Sequence, residues 1–434
     1  MPTAAAAPAR PRYTAAILLT VSLFFLWGMA NNLNDVLIAQ FRKAFTLSDF
    51  ETSFVQQVFY FGYFVFAIPA AMLTSARGYK AAIVTGLVLY GCGALLFYPA
   101  AAGSQYTLFL LALFVIASGL AFLETAANPL MTELGDPASA TRRLNWAQAA
   151  NPVGAVTGIL IGRHFILSGI EHDEAALGAM TAIERLAYYG MEVRAVQAPY
   201  LIIGCVVLAF AVVAACMRFP PGDPGAQAAA SWSGFRQVLR RPRLAFAAVA
   251  QLLYVGAQVG LWSYTIRFAQ ANVPGLTEHA AADALFVSLL LFATGRFVGT
   301  AAMTRVRPAT LLAMFAAIAF ALTLFAALVG GQIGLYALVA TSFFMSIQFP
   351  TIFALGVEGL GPLRRAGSSL LIMAIIGGAI LTAAIGWLSD RAGISTAMLV
   401  PAAAFAVIVG FAIWAGRRRS DVDDGVRMQG ASQW

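Results

Sequence analysis

Twelve apolar runs follow one another along this sequence, at 14–41, 50–76, 80–102, 106–133, 142–168, 196–217, 244–271, 280–304, 308–329, 332–358, 365–389 and 393–416. Each is long enough to cross a bilayer, since ~20 residues at a rise of 1.5 Å span the hydrocarbon as a helix. In lipid every backbone N–H and C=O must find a partner within the chain, which runs of this length do as helices. Gly, Pro and charge mark the breaks, as in Arg77-Gly78-Tyr79-Lys80, Gly135-Asp136-Pro137, Arg305-Val306-Arg307-Pro308 and Gly361-Pro362. The expected fold is therefore an all-α membrane protein with twelve transmembrane helices.

The composition excludes a soluble enzyme carrying an anchor. Of 434 residues, 60% are hydrophobic and 11% charged, where soluble domains carry about 25% charged residues. The net charge of +8 does not point to nucleic acid, because the basic residues sit in short clusters between the apolar runs. Counted by side, with the N-terminus inside, 19 of the 27 Lys and Arg fall in inner loops and 7 in outer ones. That asymmetry puts both termini in the cytoplasm. The leader Met1–Tyr13 has no cleavage site before the first run, so no cleavable signal peptide is expected. Cys92, Cys205 and Cys216 all fall in apolar runs and are expected to be free, buried thiols.

Two connections are long. His164–Arg194 is polar and outer, whereas Phe219–Arg243 is inner, Pro/Gly-rich and then basic. The second divides six helices from six. The expected organisation is an N-terminal six-helix bundle at 1–217, a basic cytoplasmic linker at 218–243 and a C-terminal bundle with a short tail at 244–434. Similar Gly/Arg turns, at Arg77-Gly78-Tyr79-Lys80 and Gly386–Gly393, follow the second helix of the first and last three-helix units. Nested three-helix repeats place them so, and make the two bundles pseudo-symmetric.

Polar groups within the runs carry the functional signal. Asp35 lies in the first helix and Glu124 in the fourth. An ionised carboxylate at bilayer depth costs about 2.5–3.5 kcal/mol on insertion scales. Such a group persists if it faces a wet cavity, has a partner or takes a proton. Asp35 is a cavity carboxylate or a structural partner of Arg42 or Lys43. Glu124 has no basic residue nearby in sequence and is a candidate proton carrier, because burial disfavours its charged form. Arg296 is a cavity residue or snorkels to the inner interface.

The amides form stripes. Trp27 and Asn31 share a face with Asn34 or Asp35 on the first helix, and Glu124 and Asn128 are four apart on the fourth. Asn145, Gln148 and Asn151 run along the fifth; Gln251, Tyr254, Gln258 and Trp262 along the seventh; Gln348 precedes Phe349-Pro350 on the tenth. Amides of this kind act either as interhelical glue, at about 0.6 kcal/mol each, or as ligand contacts. Amides and carboxylates beside an indole face are what a sugar requires: paired donors and acceptors for hydroxyls, and a flat apolar surface for the C–H face of a pyranose. The prolines after Asn128 and Phe349 add helix breaks with free carbonyls. No phosphate-binding loop and no Cys/His metal spacing occurs, so no cofactor or metal is expected, and uphill transport would draw on an ion gradient.

Four segments resemble a known family: Phe25-Leu-Trp-Gly-Met-Ala-Asn-Asn-Leu-Asn-Asp35, Leu123-Glu-Thr-Ala-Ala-Asn-Pro129, Arg143-Leu-Asn-Trp-Ala-Gln148 and Ser346-Ile-Gln-Phe-Pro-Thr-Ile-Phe353. They are similar to the fucose/H+ symporter family of the major facilitator superfamily, which includes L-fucose permeases and bacterial glucose/galactose transporters. The likeness runs through both halves. It implies the major facilitator fold, with Asp35 in substrate binding and protonation, Glu124 as proton site, and Trp27, Asn32, Gln148, Asn151 and Trp262 lining the sugar cavity. Asn32 comes from the resemblance alone, since it lies off the face of Trp27 and Asn31. Where fucose permeases have Ser-Ile-Gln-Tyr-Pro, this chain has Phe349. A hydroxyl is thereby lost from the expected cavity, and the expected substrate becomes L-fucose or a related hexose.

The expectation is a proton-coupled sugar importer of the bacterial inner membrane, working by alternating access. Its site residues are Trp27, Asn31, Asn32, Asp35, Glu124, Asn128, Gln148, Asn151, Gln258, Trp262, Gln348 and Phe349. Its partners are sugar, protons and the lipid bilayer, without nucleic acid; it is expected to act as a monomer and not to be an enzyme. The alternatives are a passive uniporter, against which the two intramembrane acids argue, and a non-transporting sugar sensor, which would carry a sizeable soluble output domain.

Overall fold

The structure, a computed structural model, describes residues 14–45, 49–134, 136–166, 180–220 and 232–431. Among these residues every regular element is helical. Ten continuous helical stretches are long and apolar enough to cross a membrane. One of them, within Asp49–Ala102, carries two spans joined at Gly78, whose φ of 83° turns the chain. The fifth span, built of Ala140–Gln148, Ala150–Ile161 and a π-turn at Gly162–Ile166, is not among the ten because Arg142, Arg143, Asn145, Gln148 and Asn151 make it less apolar than the others. The total is the twelve spans expected.

The spans are Thr14–Ala44 (first), Asp49–Ala102 (second and third), Tyr106–Glu133 (fourth), Ala140–Ile166 (fifth), Gln197–Cys216 (sixth), Pro242–Asn272 (seventh), Glu278–Ala302 (eighth) and Pro308–Val329 (ninth). The tenth runs as Gly331–Met345 and Gln348–Val357, and the eleventh as Arg364–Met373 and Gly377–Ala392 around a 3-10 turn at Ala374–Ile376. The twelfth joins Ile394–Ala397 to Leu399–Ala431, well past the expected end at 416. Pro242 and Pro308 sit at the first helical positions of the seventh and ninth spans, where a missing N–H costs nothing.

Two expectations need correction. The outer connection expected as a polar break contains a helix, Ala182–Arg194. Its N-terminus is a capping box, in which the Thr181 hydroxyl accepts from Glu184 N–H while the Glu184 carboxylate accepts from Thr181 N–H. Its polar residues mask the pattern, while Ile183, Leu186 and Met191 are exposed along it. The three cysteines are free as expected, but exposed rather than buried. In a membrane protein an apolar run has an apolar outer face as well, so membership of the run does not imply burial.

The spans pack in the same pattern twice. The first packs on the fifth, the second and third on the fourth, and the third on the sixth; likewise the seventh packs on the eleventh, the eighth and ninth on the tenth, and the ninth on the twelfth. Glycine permits the closest of these approaches. A Cβ on Gly28 would strike the Asn151 carbonyl and one on Gly154 the Phe25 carbonyl, so the first and fifth spans meet backbone to backbone. In the second bundle Gly377 meets the Leu252 carbonyl in the same way. Without a hydrophobic drive between helices in lipid, such small-residue contacts supply the packing. Aromatic rings fill the rest, as where Phe97 of the third span stacks on Tyr200 of the sixth, with centroids 3.8 Å apart.

The bundles meet through the second and eleventh, fourth and eleventh, fifth and eighth, and fifth and tenth spans. Polar contacts seal one end. Arg365 Nη1 donates to the Thr74 carbonyl (3.0 Å) and its guanidinium lies 4.6 Å from the Tyr79 ring. Arg364 pairs with Glu133 at 3.6 Å, and Asn145 Nδ2 donates to Thr351 Oγ1 at 3.2 Å. Glu358 pairs with Arg243. This is the end that carries the Arg-rich turns.

Candidate functional site

A cavity of about 480 Å³ lies between the bundles. Trp27, Asn31 and Asn32 of the first span line it together with Gln148 and Asn151 of the fifth, and the second bundle contributes Gln258, Trp262 and Phe349. The glycine contact between the first and fifth spans is what brings the first two groups to one wall. Asn32, off the face derived from periodicity, lines the cavity all the same. Its Nδ2 donates to the Gly28 carbonyl one turn back (3.0 Å). Asn151 Nδ2 donates to the Phe24 carbonyl at 3.4 Å, and Trp262 Nε1 to Ser342 Oγ at 3.2 Å. The aromatic groups sit at fixed angles: Trp27 lies 5.9 Å from Phe349, and Trp262 meets Phe292 edge-on at 5.0 Å.

Three expected site residues do not line the cavity. Asn128 is fully buried behind it, where its Oδ1 accepts from Gln148 Nε2 at 2.8 Å. Gln348 is also fully buried, its Nε2 donating to the Phe344 carbonyl at 2.9 Å and its Oε1 lacking a partner. Glu124 is 2% exposed, with neither carboxylate oxygen hydrogen-bonded. No residue of the fourth span lines the cavity, and on the tenth span it is the neighbouring Phe349, not Gln348, that does. Asp35 belongs to the first span, and its side chain lies outside the described residues.

The second span supplies what the sequence reading missed. Gln56, Tyr60 and Tyr63 line the cavity, and Gln56 Oε1 is buried without a partner. Their three- to four-residue spacing was the available signal. Tyr63 also interacts electrostatically with the buried Glu124. Phe292 and Arg296 of the eighth span complete the lining. Arg296 is a cavity residue, not one that snorkels to the interface. It is 3% exposed, its guanidinium stacks 5.0 Å from the Phe292 ring, and it reaches Gln148 across the bundle interface.

Chemically, the cavity offers amide donors and acceptors on both walls, two indoles and three phenylalanine rings, with the Glu124 carboxyl held in a dry layer behind it. Two six-helix bundles around a central polar cavity, sealed at one end, define a multi-pass membrane transporter of the alternating-access kind. Residues 18–374 match the Major Facilitator Superfamily. The L-fucose-proton symporter of Escherichia coli (strain K12) is 46% identical over 406 residues, 92% of this chain and 93% of that protein. The glucose/galactose transporter of Brucella abortus biovar 1 (strain 9-941) is 35% identical over 397 residues, 91% of this chain and 93% of that protein. The crystal structure of the transporter FucP in the outward conformation superposes with a TM-score of 0.86 at 46% identity, covering 93% of this chain and 99% of that one. The chain belongs to the fucose/H+ symporter family of the major facilitator superfamily.

Proposed function

We propose that this protein is a proton-coupled sugar symporter of the bacterial inner membrane, carrying L-fucose or a related hexose by alternating access. The observation that carries the reading is Glu124: a carboxyl buried among apolar groups, without a hydrogen-bond partner, one layer behind a polar and aromatic cavity. An uncompensated buried charge costs several kcal/mol, so gain and loss of a proton there is tied to any change in its surroundings. That is the requirement for a symporter's proton site. The names of the relatives, L-fucose-proton symporter and glucose/galactose transporter, support the substrate class.

In this reading Trp27 and Trp262 offer apolar faces to the sugar ring. Asn31, Asn32, Gln148, Asn151 and Gln258 address its hydroxyls, and Asp35 serves both sugar and proton. Asn128 and Gln348 act from behind, Asn128 by holding Gln148 in place. Phe349 gives a wall without a hydroxyl and broadens the choice of hexose. The Arg-rich, sealed end is cytoplasmic, so the structure is outward-facing, and both termini are inside. The unit is a monomer of two bundles, 1–217 and 244–434, joined by a basic linker at 218–243. The test is uptake of a panel of labelled hexoses into proteoliposomes under an imposed pH gradient. Gradient-driven accumulation of L-fucose or a close relative is expected, and accumulation of none of them would refute the reading.

A further inference from the structure

Arg296 is a cation in the floor of the cavity without a carboxylate within 4.0 Å among the described residues. Its Nε is buried and unpartnered. Its Nη1 donates across the bundle interface to the Gln148 main-chain carbonyl (3.4 Å) and to Gln148 Oε1 (3.3 Å). The other end of the same amide, Gln148 Nε2, donates to Asn128 Oδ1. Asn128 Nδ2 is in turn buried and unpartnered, one helical turn from the two unpartnered oxygens of Glu124. The two hydrogen bonds run in one sense, from Arg296 to Gln148 and from Gln148 to Asn128, and end at an unused Asn128 N–H one helical turn from the acid. A row of amides aligned in this sense has its positive end at the acid and its negative end at the cation. It stabilises an anion at Glu124 and a cation at Arg296 together.

We infer that Arg296 is the positioning residue that couples the proton to the gate: with Glu124 ionised, the Gln148–Asn128 bridge holds Arg296 and closes the two bundles beneath the sugar, and a proton on Glu124 releases them. The physical reason lies in the charges. Once Glu124 is neutral, Arg296 is a buried cation with no ionised carboxylate beside it among the described residues, which is costly. Opening the floor toward the inner side gives it water. The inference rests on the symport reading above. Other ionisable groups surround the pair. Tyr63 of the second span faces Glu124, and Tyr254 of the seventh faces Arg296. Tyr60 lies beside Tyr63, Tyr90 of the third span donates to the Leu26 carbonyl, and Asp35 of the first span lies outside the described side chains. Arg143 of the fifth span is engaged by main-chain carbonyls, while Glu133, Arg364 and Arg365 belong to the inner seal at the far end of the fourth and eleventh spans.

The test is the pH profile of downhill L-fucose uptake in proteoliposomes with equal pH on both sides. The parent protein should lose uptake as pH rises, because fewer carriers bear the proton that opens the floor. Arg296→Gln removes the cation whose balance depends on that proton. Its ratio of uptake at low pH to uptake at high pH should shrink at least about fivefold, the lower end of typical coupling between sites. Asn128→Leu, which cuts the bridge at similar volume, should flatten the profile in the same way. Arg296→Lys keeps the charge and should keep the parental profile at a reduced rate. A parental profile in Arg296→Gln, lowered uniformly, would make Arg296 structural and overturn the inference. If Arg296→Gln fails to fold, a parental profile in Asn128→Leu or a flat one in Arg296→Lys would overturn it equally. A parent protein whose uptake ignores an imposed pH gradient would instead refute the symport reading itself.

Discussion

At the scale of single residues the polar inventory of the membrane was readable because polarity is expensive there. Of the twelve residues named from sequence, eight line the cavity: Trp27, Asn31, Asn32, Gln148, Asn151, Gln258, Trp262 and Phe349. What sequence does not give is depth. Glu124 and Asn128 have the same polarity and spacing whether they touch the ligand or stand behind it, and only the packing of the fourth span puts them behind. Tyr60 and Tyr63 were missed for the converse reason, since an aromatic ring in an apolar run looks the same against lipid, against protein or against a cavity. Two substitutions test the roles proposed here. Asp35→Asn should weaken sugar binding roughly tenfold to more than a hundredfold, because a carboxylate that accepts charge-assisted hydrogen bonds, worth about 1.5–3 kcal/mol, becomes an amide with one acceptor oxygen. Binding by calorimetry at parental affinity would reassign Asp35 to a structural partnership with Arg42 or Lys43. Phe349→Tyr restores a hydroxyl at a ring that lies 5.9 Å from Trp27 and 6.4 Å from Tyr254. Competition assays should then show a shift in preference toward L-fucose over other hexoses, and an unchanged order would remove Phe349 from selectivity.

At the scale of the helix the apolar runs placed nearly every span, since a run of bilayer length has one way to satisfy its backbone. The exceptions have identifiable causes. The fifth span breaks at Ala149, beside the amides that face the cavity, because Pro152 lacks the N–H that would bond the Gln148 carbonyl, and that proline was the signal to read. The helix Ala182–Arg194 was hidden by its charges, although the Thr181–Glu184 capping box was there to be read. Close helix contacts were less legible than the helices, because glycine at a turn and glycine at a crossing look alike in sequence. Gly154 is a crossing glycine with the Phe25 carbonyl against it. Gly154→Val should force the first and fifth spans apart, with overpacking costs of about 1–3 kcal/mol. A lowered thermal midpoint in detergent and weaker sugar binding are expected together, since the same crossing aligns Trp27 and Asn31 with Gln148 and Asn151. A mutant as stable and as tight-binding as the parent would show that the crossing is not needed for the site.

For the whole molecule, twelve spans in two similarly packed bundles follow from the order of the runs and the long connection between them. Inter-bundle contacts were beyond reach of the sequence, because residues far apart in it, such as Asn145 and Thr351 or Arg365 and Thr74, meet only after both bundles have formed. The sidedness of the molecule rests on the basic asymmetry, 19 inner against 7 outer. Cysteine labels in the 219–243 connection and after Arg419 should react only from the cytoplasm, and labels at 170–190 only from outside. Any exchange of sides would overturn the outward-facing assignment. The most direct test of proton-coupled sugar movement is the proton itself. Adding L-fucose, or the hexose that the uptake panel selects, to de-energised proteoliposomes holding outward-facing carriers should alkalinise the external medium as protons enter with the sugar. Glu124→Gln should abolish that signal while still exchanging labelled for unlabelled sugar, because Gln imitates the protonated acid. Sugar entry with no change in external pH, or an undiminished signal in Glu124→Gln, would contradict the account.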